Sequence, residues 1–160
     1  MVEMFVYRVG MDEHGQAFVV LMDLAKERML PILIGPYEAH AIAMELQGEK
    51  FQRPLTHDLF ISVLSALGHQ VTQLDITRLE EGTFFANLTL CDGRRLLEVD
   101  ARPSDGIALA MRAGAPIFVA EGVLAETEYR TIADDEQDET ERFRELMRRV
   151  QLRDETDDEE

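Results

Sequence analysis

The chain carries a single cysteine and no tryptophan among its 160 residues. One thiol, Cys91, cannot close an intramolecular disulfide, and it is too few for the usual zinc clusters, which need several thiolate or imidazole ligands at short spacing. A reducing compartment, the cytoplasm, is therefore expected. There is no glycine-rich phosphate loop, no string of metal-ligand residues and no patch of basic and aromatic residues of the kind that tracks a nucleic-acid strand. The opening stretch "MVEMFVYRVGMDEHG" has an acid at Glu3 and no basic leader, and no uncharged apolar run reaches bilayer length. No membrane association is expected. Cations are scarce as well: 16 Lys and Arg stand against 32 Asp and Glu, for a net charge of -16. From Asp134 onward there are 13 acids and 5 arginines, so half of the net charge lies on the last 27 residues. Such a field repels phosphate backbones, and any role on nucleic acid must rest on a local site.

What is present is enough for one core, since 46% of the residues are hydrophobic in a chain of one-domain length. An ungapped shift of 67 positions aligns Gly15–Met44 with Gly82–Met111, with identities at Gly15/Gly82, Phe18/Phe85, Leu21/Leu88, Arg28/Arg95, Leu30/Leu97, Pro36/Pro103, Ala41/Ala108, Ala43/Ala110 and Met44/Met111. The match points to a duplicated β-β-β-α unit, against the alternative of two convergent patterns. In the first copy, strands are predicted over 4–9, 17–22 and 29–34; in the second, over 71–76, 83–90 and 96–99. Helices begin at Pro36 and Pro103, where a fixed backbone angle and a missing N–H cost nothing, and end at Gly48 and Gly114. The expected fold is α+β, a mixed and mainly antiparallel sheet packed with helices.

Between the copies, "RPLTHDLFISVLSALG" reads as an extra amphipathic helix over 56–67, capped by Thr56 and packed through Leu59, Val63, Leu64 and Leu67. A short strand is expected over 117–120. The domain should occupy 1–132, with repeats at about 4–48 and 71–115. The acidic tail, 133–160, should hold one helix with the stripe Phe143, Leu146, Met147 and Val150, then a disordered end.

Three blocks, "LPILIGPYEAHAIAMELQG", "RPLTHDLF" and "DARPSDGIALAMRAGAPIFVAEGVL", resemble in order and spacing the signature blocks of the bifunctional nuclease domain family, over about Met4 to Leu124. The resemblance implies a compact α+β domain that assembles into homo-oligomers, dimers or larger, and a nuclease that cleaves DNA, RNA or both. Gly106 stands where Ala is more usual in that family, and the tail lacks a clear UvrB-like motif that some members carry.

In that light several residues are candidates. Glu38 and Asp105 occupy equivalent repeat positions, so a pseudo-twofold relation would let them converge; as carboxylates they could hold Mg²⁺ or Mn²⁺ for phosphodiester hydrolysis. Otherwise each caps its own helix. His57 and Asp58 could act as general base or metal ligand, or could form a capping turn with Thr56. Strand alternation would put Asp100 and Arg102 on one face, either as a structural ion pair or with Arg102 gripping a phosphate while Asp100 and Asp105 hold metal. Arg53 and Ser104 complete the expected substrate contacts. Ser104 as a nucleophile is the thinner idea, because nothing resembles a nucleophile elbow. The competing reading is a non-catalytic oligomeric binding or regulatory module in which the same polar blocks make subunit contacts.

Overall fold

The computed structural model describes residues 1–127. Seven strands and four helices follow the order β1 (Val2–Met11), β2 (Ala17–Asp23), β3 (Met29–Leu33), α1 (Pro36–Leu46), α2 (Thr56–Ala66), β4 (Gln70–Glu80), β5 (Thr83–Cys91), β6 (Leu96–Ala101), α3 (Pro103–Ala113), β7 (Ile117–Val119) and α4 (Glu121–Thr127). All the strands join one sheet in the order β3-β2-β1-β7-β4-β5-β6. Every adjacent pair is antiparallel except β4 with β7. The fold is thus α+β with a mixed, mainly antiparallel sheet.

The β-β-β-α order occurs twice, and each three-strand run extends outward from β7 in the same sequence. This is an equivalence of topology. The short strand β7 was expected from the sequence, but its place at the centre was not; nor was α4. Its three residues pair with both β1 and β4, joining the two halves into one hydrogen-bonded layer.

The core lies between one sheet face and the helices. Met4, Leu21, Leu30, Leu74, Ile76, Leu88, Ile117 and Val119 point into it from the sheet, and Ala39, Ile42, Ile107, Ala108 and Ala110 from the helices. The small residues let the helices approach closely, and Gly106 is the tightest such point. A Cβ built there would overlap the side chain of the fully buried Leu74. The glycine at this position therefore has a packing cause: α3 lies against β4 with no room for a methyl group. Helix α3 ends on Gly114, whose φ of 65° is the left-handed cap conformation that glycine adopts without strain.

Helix α2 differs from expectation in two respects. Leu55, not Thr56, holds the cap position, and the carboxylate of Asp58 accepts the Leu55 N–H at 2.9 Å. The helix is also rotated. Ile61 and Leu64 pack toward the core, whereas Leu59, Phe60, Val63 and Leu67 are exposed. The cause is polar: His57 and Asp58, on the side of Ile61 and Leu64, are held by groups on α3, and these contacts fix which side of α2 faces inward. The tail stripe Phe143, Leu146, Met147 and Val150 lies outside the described residues.

Candidate active site

Helices α1 and α3 start in the same way, with Pro at the first position and a carboxylate at the third: Glu38 in α1 and Asp105 in α3. The two helices pack together, so their N-termini lie side by side. Arg102, the last residue before α3, links them. Its Nη2 donates to Glu38 Oε1 at 2.9 Å and its Nε to Asp105 Oδ2 at 2.7 Å. Carboxylates from corresponding positions of the two β-β-β-α runs thus meet on one guanidinium. On its own helix the Glu38 carboxylate folds back over Gly35, where any Cβ would overlap it.

The other oxygen of Asp105, Oδ1, lies 3.1 Å from His57 Nε2 at the start of α2. Burial opposes ionisation of Asp105, but hydrogen bonds from Arg102 and His57 and their charges outweigh it, and its pKa is held below the ordinary carboxylate value. An ionised carboxylate only accepts, so Nε2 carries the proton in this contact. Nδ1 is then the acceptor nitrogen; it makes no hydrogen bond to any described residue and is not sealed from solvent. The His57 side chain keeps 16% of its exposure, enough for a small group to reach it.

Asp58 has a different setting. Its Oδ1 accepts from Arg112 Nε at 2.6 Å, and its Oδ2 accepts the Leu55 N–H. Arg112, only 7% exposed, also donates to Ala41 O in α1 and Ala108 O in α3, so one guanidinium ties three helices together. Burial raises the Asp58 pKa; Arg112, the Leu55 N–H and the nearby His57 lower it by more, and the net direction is down. With both oxygens engaged, Asp58 is suited to positioning His57. Sequence reasoning passed over Arg112; its signal was a cation in the last turn of an otherwise small and apolar helix.

The remaining expected residues are placed as follows. Asp100 does not pair with Arg102. It faces Asn87 in the sheet register, while its neighbour Ala101 faces the core residue Ala86, so Asp100 is on the sheet face away from the helices. Alternation stops at Ala101, because Arg102 already leaves the strand as the cap of α3. The proposed metal set Glu38, Asp100 and Asp105 is consequently not assembled. A guanidinium stands between the other two carboxylates, and no group of three or more His, Cys, Asp or Glu among the described residues could hold an ion. The donors present among the described residues do not fit a resident metal. Arg53 is exposed in the connection between α1 and α2 and is not joined to the cluster. Ser104 is buried at the second position of α3, apart from the His57–Asp105 contact.

Arg102 and Ser104 also border an open groove of about 400 Å³, with Gly15, Gln16, Ala17 and the segment 32–36 on its other sides.

Fold and site together define an α+β domain with an Arg–carboxylate–His corner at two abutting helix N-termini. The family model for the bifunctional nuclease domain matches residues 19–131, and the chain belongs to that family. It is similar to two proteins of Mycobacterium tuberculosis, uncharacterized protein MT1877 (strain CDC 1551 / Oshkosh) and uncharacterized protein Rv1829 (strain ATCC 25618 / H37Rv). Each is 42% identical over 141 residues, covering 83% of this chain and 84% of the relative. The family points to a function connected with nucleic acid. Among the described residues no helix is long and apolar enough to cross a membrane.

Proposed function

We propose that the protein is a cytoplasmic nuclease that hydrolyses phosphodiester bonds of DNA, RNA or both at the His57–Asp105–Arg102–Glu38 corner. The observation that carries the proposal is the run of contacts from His57 through Asp105 and Arg102 to Glu38, within one accessible corner. In this reading Asp105 orients His57, and His57 Nδ1 takes a proton from the attacking water; the water oxygen bonds to phosphorus as the phosphorus–oxygen bond to the leaving strand breaks, and the leaving oxygen takes a proton from solvent. The third guanidinium nitrogen of Arg102, Nη1, makes no hydrogen bond to a described residue and is available to a phosphate oxygen, while Glu38 holds the fork in place. Asp58 positions His57 through the start of α2. Arg53 supplies an outer phosphate contact. Because the described residues form no cage, Mg²⁺ or Mn²⁺ enters this reading as a cation carried by the substrate phosphate.

The test is cleavage of labelled single-stranded DNA and RNA by purified protein in Mg²⁺, Mn²⁺ and EDTA, repeated with His57→Ala and Asp105→Asn. Loss of cleavage in both variants supports the proposal; activity that survives both refutes it.

A second reading, a homo-oligomeric binding module, is favoured by one observation. Leu55, Leu59, Phe60, Val63 and Leu67 form an exposed apolar strip on α2, and Leu96, Leu97 and Val99 are exposed on the edge strand β6. An apolar strip of this kind marks an interaction surface. Light scattering of Leu59→Lys/Val63→Lys protein tests it: a shift to monomer supports assembly through α2, and an unchanged mass refutes it.

A further inference from the structure

The groove beside Arg102 is lined by the starts of two helices of 11 residues each, Gly35–Pro36 of α1 and Arg102–Ser104 of α3. Neither start is capped by its N-cap side chain. At α3, the Gly106 N–H is spent on Arg102 O and Pro103 has none, so the Ser104 and Asp105 amides are the donors left for a ligand. Exposed helix starts alone are satisfied by water. The second observation is Ser104 itself. It is only 6% exposed, its hydroxyl makes no hydrogen bond to any described residue, and it lines this groove. No buried or half-buried described residue has a side-chain oxygen or nitrogen both sealed from solvent and unpartnered, so the Ser104 Oγ is open to solvent, and Ser104 lines the groove. A nearly buried hydroxyl with an unused donor and acceptor, aimed into a cavity, is a contact awaiting a polar group.

The chemistry of that group follows from the surroundings. Arg102 Nη1, Ser104 Oγ and the first amides of α3 are donors and the helix start adds partial positive charge; the Glu38 and Asp105 carboxylates beside them are engaged by Arg102, and the remaining donors suit an oxyanion such as a phosphate. The rest of the groove is different in kind. Ala17, Ile32, Leu33 and Ile34 give an apolar wall, and Gln16 offers an amide that both donates and accepts. A volume of about 400 Å³ lies within the range of small-molecule sites, about 300–1,000 Å³. One oxyanion end joined to one flat, mostly apolar body with a hydrogen-bonding edge is the shape of a nucleoside monophosphate.

We infer that the groove is a subsite for one terminal nucleotide of a strand, with its phosphate at Arg102, Ser104 and the α3 amides, and its base against Ile32–Ile34 with its edge at Gln16. This inference rests on the nuclease reading and deepens it: it makes the enzyme end-directed, with the terminal phosphate seated in the groove and the first diester bond of the strand presented to the His57–Asp105 pair.

The experiment titrates ¹⁵N-labelled full-length protein in EDTA, where binding is read without cleavage, using AMP, adenosine, inorganic phosphate and a short oligonucleotide with or without a 5′-phosphate. AMP is expected to shift the Gln16, Gly35, Ser104 and Asp105 amides and to bind at least about tenfold more tightly than phosphate or adenosine, a difference of about 1.4 kcal/mol. The phosphorylated oligonucleotide should compete with it. Ser104→Ala should weaken AMP and phosphate together, and Gln16→Ala should weaken AMP while leaving phosphate unchanged. Dispersed amide spectra of both variants establish that they are folded. Equal binding of AMP and phosphate, shifts elsewhere in the protein, or a Ser104→Ala protein that binds as the parent does would each overturn the subsite. Groove binding without cleavage under any metal condition would overturn the nuclease reading alone.

Discussion

His57 and Asp105 are 48 positions apart in the chain and meet at 3.1 Å, each from the first turn of a different helix. The contact gives the imidazole a fixed orientation and leaves its other nitrogen without a partner among the described residues. It also couples α2 to α3 at the point where Arg102 joins α3 to α1.

Arg102 separates two like charges. In Arg102→Gln, Glu38 and Asp105 face each other with no cation between them. Because the Arg102 side chain is 66% exposed, the loss at pH 7 should be modest, about 1 kcal/mol. It should shrink below about pH 4 as Asp105 takes up its proton. Urea unfolding of both proteins at the two pH values measures it. Arg102→Lys should keep most of the stability but weaken substrate binding about tenfold, since a point charge cannot replace the fork.

The Asp58–Arg112 clasp has the opposite balance. Asp58→Ala leaves a nearly buried guanidinium without its carboxylate, and removes the acceptor of the Leu55 N–H. A loss of about 2–3 kcal/mol is expected, with α2 loosening first. Hydrogen exchange should show faster opening of α2 amides than of β4 or β5 amides. A uniform increase across the fold would argue against a local clasp.

Asp23 supplies the pH dependence. It is nearly buried, which opposes ionisation, but accepts the Glu27 and Arg28 N–H groups and the Arg28 guanidinium, and the net effect lowers its pKa. Asp58 and Asp105 are lowered as well. The unfolded chain therefore binds protons at these positions before the folded chain does. Their stabilisation is complete above the unfolded carboxylate value of about 4 and is lost as pH falls through the lower folded values. Asp23→Asn should lower stability at pH 6 and flatten its decline below about pH 4. Thermal unfolding of the variant and parent across pH 2.5–7 checks the difference in slope, with the general effect of net charge common to both proteins.

Gly106→Ala should cost about 1–3 kcal/mol, because the added methyl meets Leu74 in a fully packed site. Leu74→Val should recover part of the loss in the double variant. Additive effects in a double-mutant cycle would contradict the close approach of α3 and β4.

The sequence made legible what depends on local chemistry. Pro36 and Pro103 marked the helix starts, Gly114 the end of α3, and the shared position of Glu38 and Asp105 pointed to a meeting that the structure shows through Arg102. It did not reveal what depends on distant partners. The rotation of α2 follows from Arg112, about fifty residues away, and the apolar spacing alone chose the wrong stripe. Asp100 was misplaced because alternation was carried one residue beyond the end of β6. The central position of β7 depends on pairing with strands about 40 and more than 110 residues away in the chain, for which three residues carry no local signal.

The most direct measurement is the initial rate of cleavage of a labelled single-stranded oligonucleotide by purified His57→Gln protein beside the parent, with circular dichroism confirming that both are folded. The account predicts a loss of at least about 100-fold, as expected for removal of a general base. A rate within about twofold of the parent, set against that expected loss, would contradict it.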